Sequence, residues 1–313
     1  MEIQEVSVSF YTNIIPSPFQ IFSSANFNEL NKSKCETIFY LLFKDNKYRL
    51  GIIVGERNNI LYSPFSAPFG GFAFLSGDIR LQSINEALDL IEKWANEKHF
   101  TSINITLPPA VYNESFIGKQ ANCLFRKGYE ITKLDLNYSY HLDNFDECYP
   151  NYIWYNARKN LKVAQNSGLT FTKCNENVAK MLAFDIISQN REARGFPLRM
   201  TWQQVSETIS LINADFFIVN NEKKVPIAAA IIFHINNAVV QVIYWGDLPE
   251  YARLKTMNYL SFKVFEYYKA TGKKIVDIGP STEDSVPNYG LCEFKEGIGC
   301  QIDPKLTFKK KLS

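Results

Sequence analysis

Residues 216–245 read FFIVNNEKKVPIAAAIIFHINNAVVQVIYW, three apolar runs separated by polar breaks at Asn221-Glu222-Lys223 and Asn236-Asn237. The runs 216–220, 226–235 and 238–245 are short and rich in β-branched and aromatic residues, so they read as strands of an antiparallel meander. The chain beyond Trp245 is not another hairpin. A stripe at Leu254, Met257, Leu260, Val264, Phe265 and Tyr268 predicts a helix, 274–278 a strand, 291–296 a short helix and 301–308 a last strand.

The same course runs through the first half. Stretches 36–43, 48–54 and 60–62 are broken at Asp45-Asn46-Lys47 and Asn58-Asn59. After a Pro/Gly-rich loop, Ser83-Ile84-Asn85-Glu86 has the spacing of a capping box, and Ala87, Leu88, Ile91, Trp94 and Ala95 carry a helix to about Lys98. A strand at 102–107, a helix at 116–127 and a strand at 130–140 complete the set. Cys123-Leu124-Phe125-Arg126-Lys127-Gly128 and Cys292-Glu293-Phe294-Lys295-Glu296-Gly297 share the pattern Cys-x-Phe-basic-x-Gly at the same point in both halves. That argues for an old duplication and pairs Phe125 with Phe294 and Gly128 with Gly297. Helices are expected at 148–166, 178–190 and 202–212, with the boundary near Asp143, giving modules 1–143 and 144–313. The fold class is α/β bordering on α+β: two tandem modules, each a mixed, mainly antiparallel sheet covered by helices.

The chain has 313 residues, enough for two cores without staples, and its 24 Phe and 17 Tyr make those cores aromatic. Its opening residues lack the apolar stretch of a signal peptide, and no later run approaches the roughly 18 apolar residues of a membrane span, so a cytoplasmic protein is expected. The six cysteines include no C-x-x-C and have no neighbouring histidine, from which we expect reduced thiols, no disulfide and no metal. A net charge of +2 gives no case for DNA or an anionic membrane. Lys309-Lys310-Lys311 reads as a solvated terminus.

No G-x-S-x-G is present, and His99, His141 and His234 stand singly, His234 as an edge residue. Transfer of an acyl group to an amine needs no covalent intermediate: it needs a held carbonyl, donors for the oxyanion and a proton acceptor. The loop 63–71, with Ser63, Ser66, Gly70 and Gly71, is either an anion site built from open amides or a Pro/Gly turn that reverses the chain. Asp277, at the end of an apolar strand, suits an amine-orienting carboxylate or a cap. Arg158 and Lys162 share a helical face, as an anion clamp or as solvated charges. Arg191 and Arg194, in the polar break 190–197, are placed to read a carboxylate or to pair locally.

The doubled order of elements resembles the tandem GNAT arrangement of the Fem-type peptidoglycan aminoacyltransferases and related bacterial acetyltransferase-like proteins. Four segments carry the resemblance, 19–24, 63–71, 156–162 and 290–295, together with Gly272 and Asp277-Ile278-Gly279. It implies an N-acyltransferase acting on a small-molecule or peptide-like amine, with acyl-CoA (acetyl-CoA among them) or aminoacyl-tRNA as donor. It also implies that Lys295 steadies the oxyanion beside Phe294, that the strands splay near Tyr244 and Trp245, and that an Arg-Gly-x-Pro stretch lines the cleft. The glycine-rich pyrophosphate loop of simple GNAT enzymes is missing from both halves; Trp245-Gly246-Asp247-Leu248-Pro249-Glu250 stands there instead. A Fem-type enzyme acting on a cell-wall precursor and a non-catalytic double-GNAT binding protein are the alternatives.

Overall fold

The computed structural model describes residues 1–196 and 198–312. Two compact units interleave along the chain: unit 1 holds Met1–Leu136, Asp284–Val286 and the stretch from Asp303, and unit 2 holds Asn137–Glu283 and Pro287–Ile302.

The first half contributes β1 (Glu2–Val6), α1 (Val8–Ile14), α2 (Ala25–Leu30), β2 (Thr37–Lys44), β3 (Tyr48–Arg57), β4 (Ile60–Ser63), β5 (Ala73–Phe74), α3 (Leu81–Glu97), β6 (Ser102–Thr106), α4 (Glu114–Arg126) and β7 (Glu130–His141). The second adds α5 (Tyr149–Tyr152), α6 (Tyr155–Gln165), β8 (Thr170–Lys173), α7 (Asn177–Ala193), α8 (Trp202–Leu211), β9 (Ala214–Asn220), β10 (Pro226–His234), β11 (Val239–Asp247), α9 (Thr256–Ala270), β12 (Ile275–Pro280), β13 (Thr282–Glu283), β14 (Val286–Pro287), α10 (Tyr289–Gly297) and β15 (Gln301–Lys311). Both meanders and the helix, strand, helix, strand order after each stand as the sequence predicts. The terminal elements β1, α1 and α2 and the short β8 carry no pattern strong enough to read.

In unit 1 the sheet order is β1-β2-β3-β4-β6-β15, antiparallel except for β4 against β6. The amphipathic α3 turns Ile84, Ala87, Leu88, Ile91, Trp94 and Ala95 inward, and each large apolar side chain contributes about 1.5–3 kcal/mol when fully buried. On the sheet's other face α1 lies on β3, and Gly51 makes the approach possible. A Cβ there would sit 2.5 Å from Ile15 Cδ1 and 2.8 Å from the Tyr11 hydroxyl.

Unit 2 repeats the plan in the order β7-β12-β11-β10-β9-β8, with β11 and β12 parallel. Helix α9 buries Leu260, Val264, Phe265 and Tyr268, and Phe265 stacks on Tyr140 of β7 at 4.2 Å. Each unit is closed by the other half's last strand. The C-terminal β15 pairs with β6, while the second part of β7 pairs with β12. Lys309, Lys310 and Lys311 therefore belong to a strand, not to the solvated terminus expected of them.

Local readings are corrected in four places. Helix α3 starts at Leu81 with Arg80 as an N-cap that makes no side-chain bond, so the Ser83–Glu86 spacing lies inside the helix. A true capping box joins Thr201 and Gln204. The helix expected over 148–166 is two, because Ile153 and Trp154 are extended. Leu254 ends a 3₁₀ turn, and α9 begins after Lys255, which has φ 56°.

The fourth correction concerns the repeat. The residues that end α4 and α10 with a left-handed backbone are Gly128 (φ 80°) and Gly299 (φ 89°), while Gly297 is helical. The matching bonds, Tyr129 N–H to Leu124 O and Cys300 N–H to Lys295 O, fix a register two residues away from the Cys-x-Phe match. Leu124, not Arg126, is the counterpart of Lys295.

Polar ties hold the far end of unit 2. Asp215 accepts bonds from His234 Nε2 (2.7 Å) and Tyr268 Oη (2.9 Å), and Lys173 Nζ lies 2.6 Å from its other oxygen. Burial pushes the Asp215 carboxyl up, but the bonds from His234, Lys173 and Tyr268 outweigh it and hold the group well below the usual carboxylate range. The folded value lies under the unfolded value of about 3.9, so this stabilisation is present above that pH and is lost as pH falls from there through the folded value. Asp215→Asn is therefore expected to lower the melting temperature at pH 7 and to narrow its gap from wild type steadily between about pH 5 and pH 2. An unchanged gap across that range contradicts the assignment.

Candidate functional site

Strand β11 makes three ladder pairs with β12, ending at Gln241↔Asp277. It then runs on to Asp247 supported by β10 alone among the described residues. A bulge leaves Ile243 without a partner between the pairs Ile231↔Tyr244 and Ile232↔Val242, which adds twist where the two strands part. The result is a fork in the sheet, with strand edge open from Val242 onward.

Asp277 sits at the fork and is fully buried. Its Oδ1 accepts from Asn137 Nδ2 and the Gly279 amide, each at 2.8 Å, and its Oδ2 from Gln241 Nε2 at 2.8 Å. Ser139 lies opposite Asp277 in the β7 ladder and is also fully buried. Ser139 Oγ and Gln241 Oε1 have no hydrogen-bond partner among the described residues. Unfilled buried polar atoms are costly, so a polar row of this kind needs a water or a ligand group to complete it. Sequence reasoning misses Gln241, Asn137 and Ser139. Gln241 carries a signal, as the one polar residue inside an apolar run; Asn137 and Ser139 look like the solvent side of an alternating strand.

Lys295 is 2% exposed. Its ammonium donates to the carbonyls of Ile278 (2.9 Å), Gly279 (2.8 Å) and Pro280 (3.0 Å) and lies 5.2 Å from the centre of the Tyr138 ring. Three protons meet three carbonyls, which makes the residue a clamp on the strand end as β12 turns away from β11. A direct oxyanion contact by Lys295, as the resemblance implies, has no proton left for it in this arrangement. Phe294 packs edge-on against Trp245 at 6.2 Å.

Tyr244 and the α7 end meet on the same strand. Burial pushes the Tyr244 hydroxyl up in pKa, opposed by the Arg191 charge and by the amides of Met200 and Arg199. Arg191 has its Nε buried with no hydrogen-bond partner among the described residues and its guanidinium 6.0 Å from the Phe196 ring. Arg194 reaches Asp247 at 3.7 Å, and Asn190 Nδ2 donates to the Asp247 carbonyl at 2.5 Å. Gly246 permits that packing, since a Cβ there would meet Asn190 Oδ1 at 2.6 Å. Pro197, the end of the Arg-Gly-x-Pro stretch, lies outside the described residues.

The remaining candidates lie elsewhere. Arg158 and Lys162 sit on α6, whose inner face is Ala157, Leu161 and Ala164. Ser63, Ser66, Gly70 and Gly71 belong to unit 1, where the loop is packed as a turn. The Gly70 amide donates to Thr106 O (2.8 Å), that of Gly71 to Ser63 Oγ (3.0 Å) and that of Phe72 to Gln120 Oε1 (2.9 Å), while Ser66 Oγ bonds Asn31 Oδ1 (3.1 Å). The space beside the glycines is about 10 Å³, no more than one water needs. The open-amide anion cradle expected of these residues is not formed, because their donors already have partners. Among the described residues no group of three or more His, Cys, Asp or Glu is placed to hold a metal, and no helix is long and apolar enough to cross a membrane.

An antiparallel meander whose last strand forks from a parallel neighbour, with a helix between them, defines the GNAT fold, and this chain carries that arrangement in tandem. Solved structures agree. FemX superposes with a TM-score of 0.72 at 13% identity, covering 100% of this chain and 98% of that one. L-PGS from Bacillus licheniformis gives 0.61 at 14% identity (97% and 92% covered), and a tandem GNAT protein from the clavulanic acid biosynthesis pathway gives 0.55 at 8% (100% and 98%). No protein-family profile and no curated protein matches the chain.

Two substitutions test the packing of the site. Lys295→Ala orphans three carbonyls and is expected to lower unfolding free energy by at least about 2 kcal/mol in urea titration; a change within about 0.5 kcal/mol shows a lysine that holds nothing. Gly246→Ala forces Asn190 aside and should cost about 1–3 kcal/mol in the same measurement, whereas no loss means that α7 and β11 are not pressed together as described.

Proposed function

We propose that the chain is an N-acyltransferase whose unit 2 carries the reacting centre, moving an acyl or aminoacyl group from an activated donor to an amine. The open edge of β11 beyond Gln241 is the observation that supports this reading. Free strand amides there suit an extended donor, which would hydrogen-bond to them as an added strand does, and would bring its carbonyl beside donors fixed before the reaction begins. Trp245 and Phe294 form an apolar wall for the donor, and Tyr244 with Arg191 supplies hydroxyl and positive charge at its rim.

In this reading the amine enters beside Asp277. Gln241 Oε1 is an unfilled acceptor next to the carboxylate, so the two together favour an N–H-bearing group and direct its lone pair outward, toward the carbonyl. As the C–N bond forms and the tetrahedral adduct collapses, the bond from the acyl carbon to the donor's thioester sulfur or ester oxygen breaks; the amine proton passes to the Asp277 carboxylate, directly or through a water bound to Ser139, and from there to the departing thiolate or alkoxide. Lys295 acts as a positioning residue that keeps the end of β12 turned away.

The segment before α9 bears on the donor. The turn at Pro249–Leu254 and the left-handed Lys255 replace a glycine-rich loop, which favours an aminoacyl donor of the kind used by Fem-type enzymes over acyl-CoA held by its pyrophosphate. The acceptor is then a small or peptide-like amine. The test is transfer of labelled amino acid from aminoacyl-tRNA, and of acetyl from acetyl-CoA, to a panel of lysine- and alanine-containing peptides. Asp277→Asn sets an NH2 against donors that the carboxylate now accepts, so its melting temperature is measured alongside, and in the folded variant transfer is expected to fall by about a hundredfold. Full transfer by that variant removes Asp277 from the chemistry, and no transfer by wild type from either donor favours a non-catalytic double-GNAT protein.

A further inference from the structure

Unit 1 has a concave surface of its own that the acyl-transfer reading does not use. Helices α3 and α4 cover one face of its sheet, where Ile103, Ile105 and Phe308 are buried. On the opposite face α1 lies on β2 and β3. Over β4, β6 and β15 that face holds a cavity of about 390 Å³, lined by Tyr62, Pro64, Asn104, Thr106, Thr307 and Lys309 among others. This is within the range of small-molecule sites.

An uncovered sheet face is polar by default, but two features set this one apart. The first is register. Tyr62 pairs with Asn104 and Asn104 with Lys309, so a phenol, an amide and an ammonium stand in one row across three strands. At a strand spacing of about 4.8 Å the row spans about 10 Å. Thr106 and Thr307 form the next row, their hydroxyls 3.0 Å apart. The second is that the Tyr62 hydroxyl, the Asn104 amide and the Lys309 ammonium make no hydrogen bond or ion pair among the described residues, whereas nearby polar groups are matched. Lys310, pointing the other way, bonds Glu92 at 2.6 Å and the Lys127 carbonyl at 2.8 Å, and Lys133 on the rim pairs with Asp284. The Tyr62 ring is held in place by the Arg57 guanidinium 4.7 Å away.

From this geometry we infer that unit 1 binds an anionic monosaccharide, a sugar bearing one phosphate or carboxylate. Lys309 takes the anion. Asn104, which both donates and accepts, takes adjacent hydroxyls, with the paired threonines beside it and the Tyr62 ring and Pro64 against the apolar side of the sugar. The site stands apart from the proposed acyl-transfer centre and does not depend on it.

Isothermal titration of the full chain at low salt tests the inference with glucose 6-phosphate, glucuronate, glucose and inorganic phosphate as probes. Saturable binding of glucose 6-phosphate or glucuronate is expected, with neutral glucose and free phosphate at least about tenfold weaker. The difference between the two anionic sugars tells phosphate from carboxylate. Lys309→Met and Asn104→Leu should each weaken the better probe by about tenfold or more while keeping the wild-type melting temperature, and Lys93→Met, with its side chain 75% exposed on α3, should bind as wild type does. Absence of saturable binding of both anionic sugars up to about 10 mM overturns the inference, as does unweakened binding by Lys309→Met. Equal affinity for phosphate alone also overturns it, showing an adventitious ion only.

Discussion

Everything distinctive in unit 2 depends on the parting of β11 from β12 after Gln241 and Asp277. Two parallel strands that share three pairs gain little by separating, because each unpaired amide and carbonyl left behind needs another partner. The separation persists because three devices hold it. The bulge at Ile243 twists β11 toward β10; Asp277 draws the Gly279 amide inward, tightening the turn of β12; and Lys295 gathers the three successive carbonyls of Ile278, Gly279 and Pro280, which a regular strand would point to alternate sides. Asn190 holds the far end of β11 by its pressure on Gly246.

The two halves of the chain put the same plan to different use. In unit 1 the strand corresponding to β11 is short, four residues from Ile60 to Ser63, and the chain after it folds back so that Gly70 bonds Thr106. The fork is filled by its own loop. The corrected repeat register fits that difference, since the position held by Lys295 in unit 2 is held by Leu124 in unit 1, buried as an ordinary core residue. A lysine clamp is needed only where the strand end is turned aside. Both halves share the frame, and one keeps its sheet open.

Much of this is legible in the sequence, and the exceptions have physical causes. The meanders and the helices after them are readable because apolar periodicity over many residues records burial directly. The tandem GNAT plan is readable from their order. The strand exchange is not, since which strand lies beside β6 is decided by tertiary pairing and β15 has the same alternation whichever sheet it joins. The repeat reads two residues out because the Cys-x-Phe-basic-x-Gly match compares side chains, while helix ends are aligned by the left-handed residue, Gly128 or Gly299. For the site, Asp277, Tyr244, Trp245, Phe294 and the arginines of the α7 end fall in unit 2 because apolar runs mark the strand ends well. The glycines at 70 and 71 mislead: two small residues permit close approach, and the group that approaches is the chain itself.

Whether the open edge of β11 receives the donor is measured most directly by hydrogen–deuterium exchange of the chain, alone and with aminoacyl-tRNA or acetyl-CoA. Residues 242–247 are expected to exchange fast for strand residues in the free protein and to slow when a donor binds, with little change at 63–72. Slowing at 63–72 with 242–247 unaffected would contradict this and move the donor to unit 1.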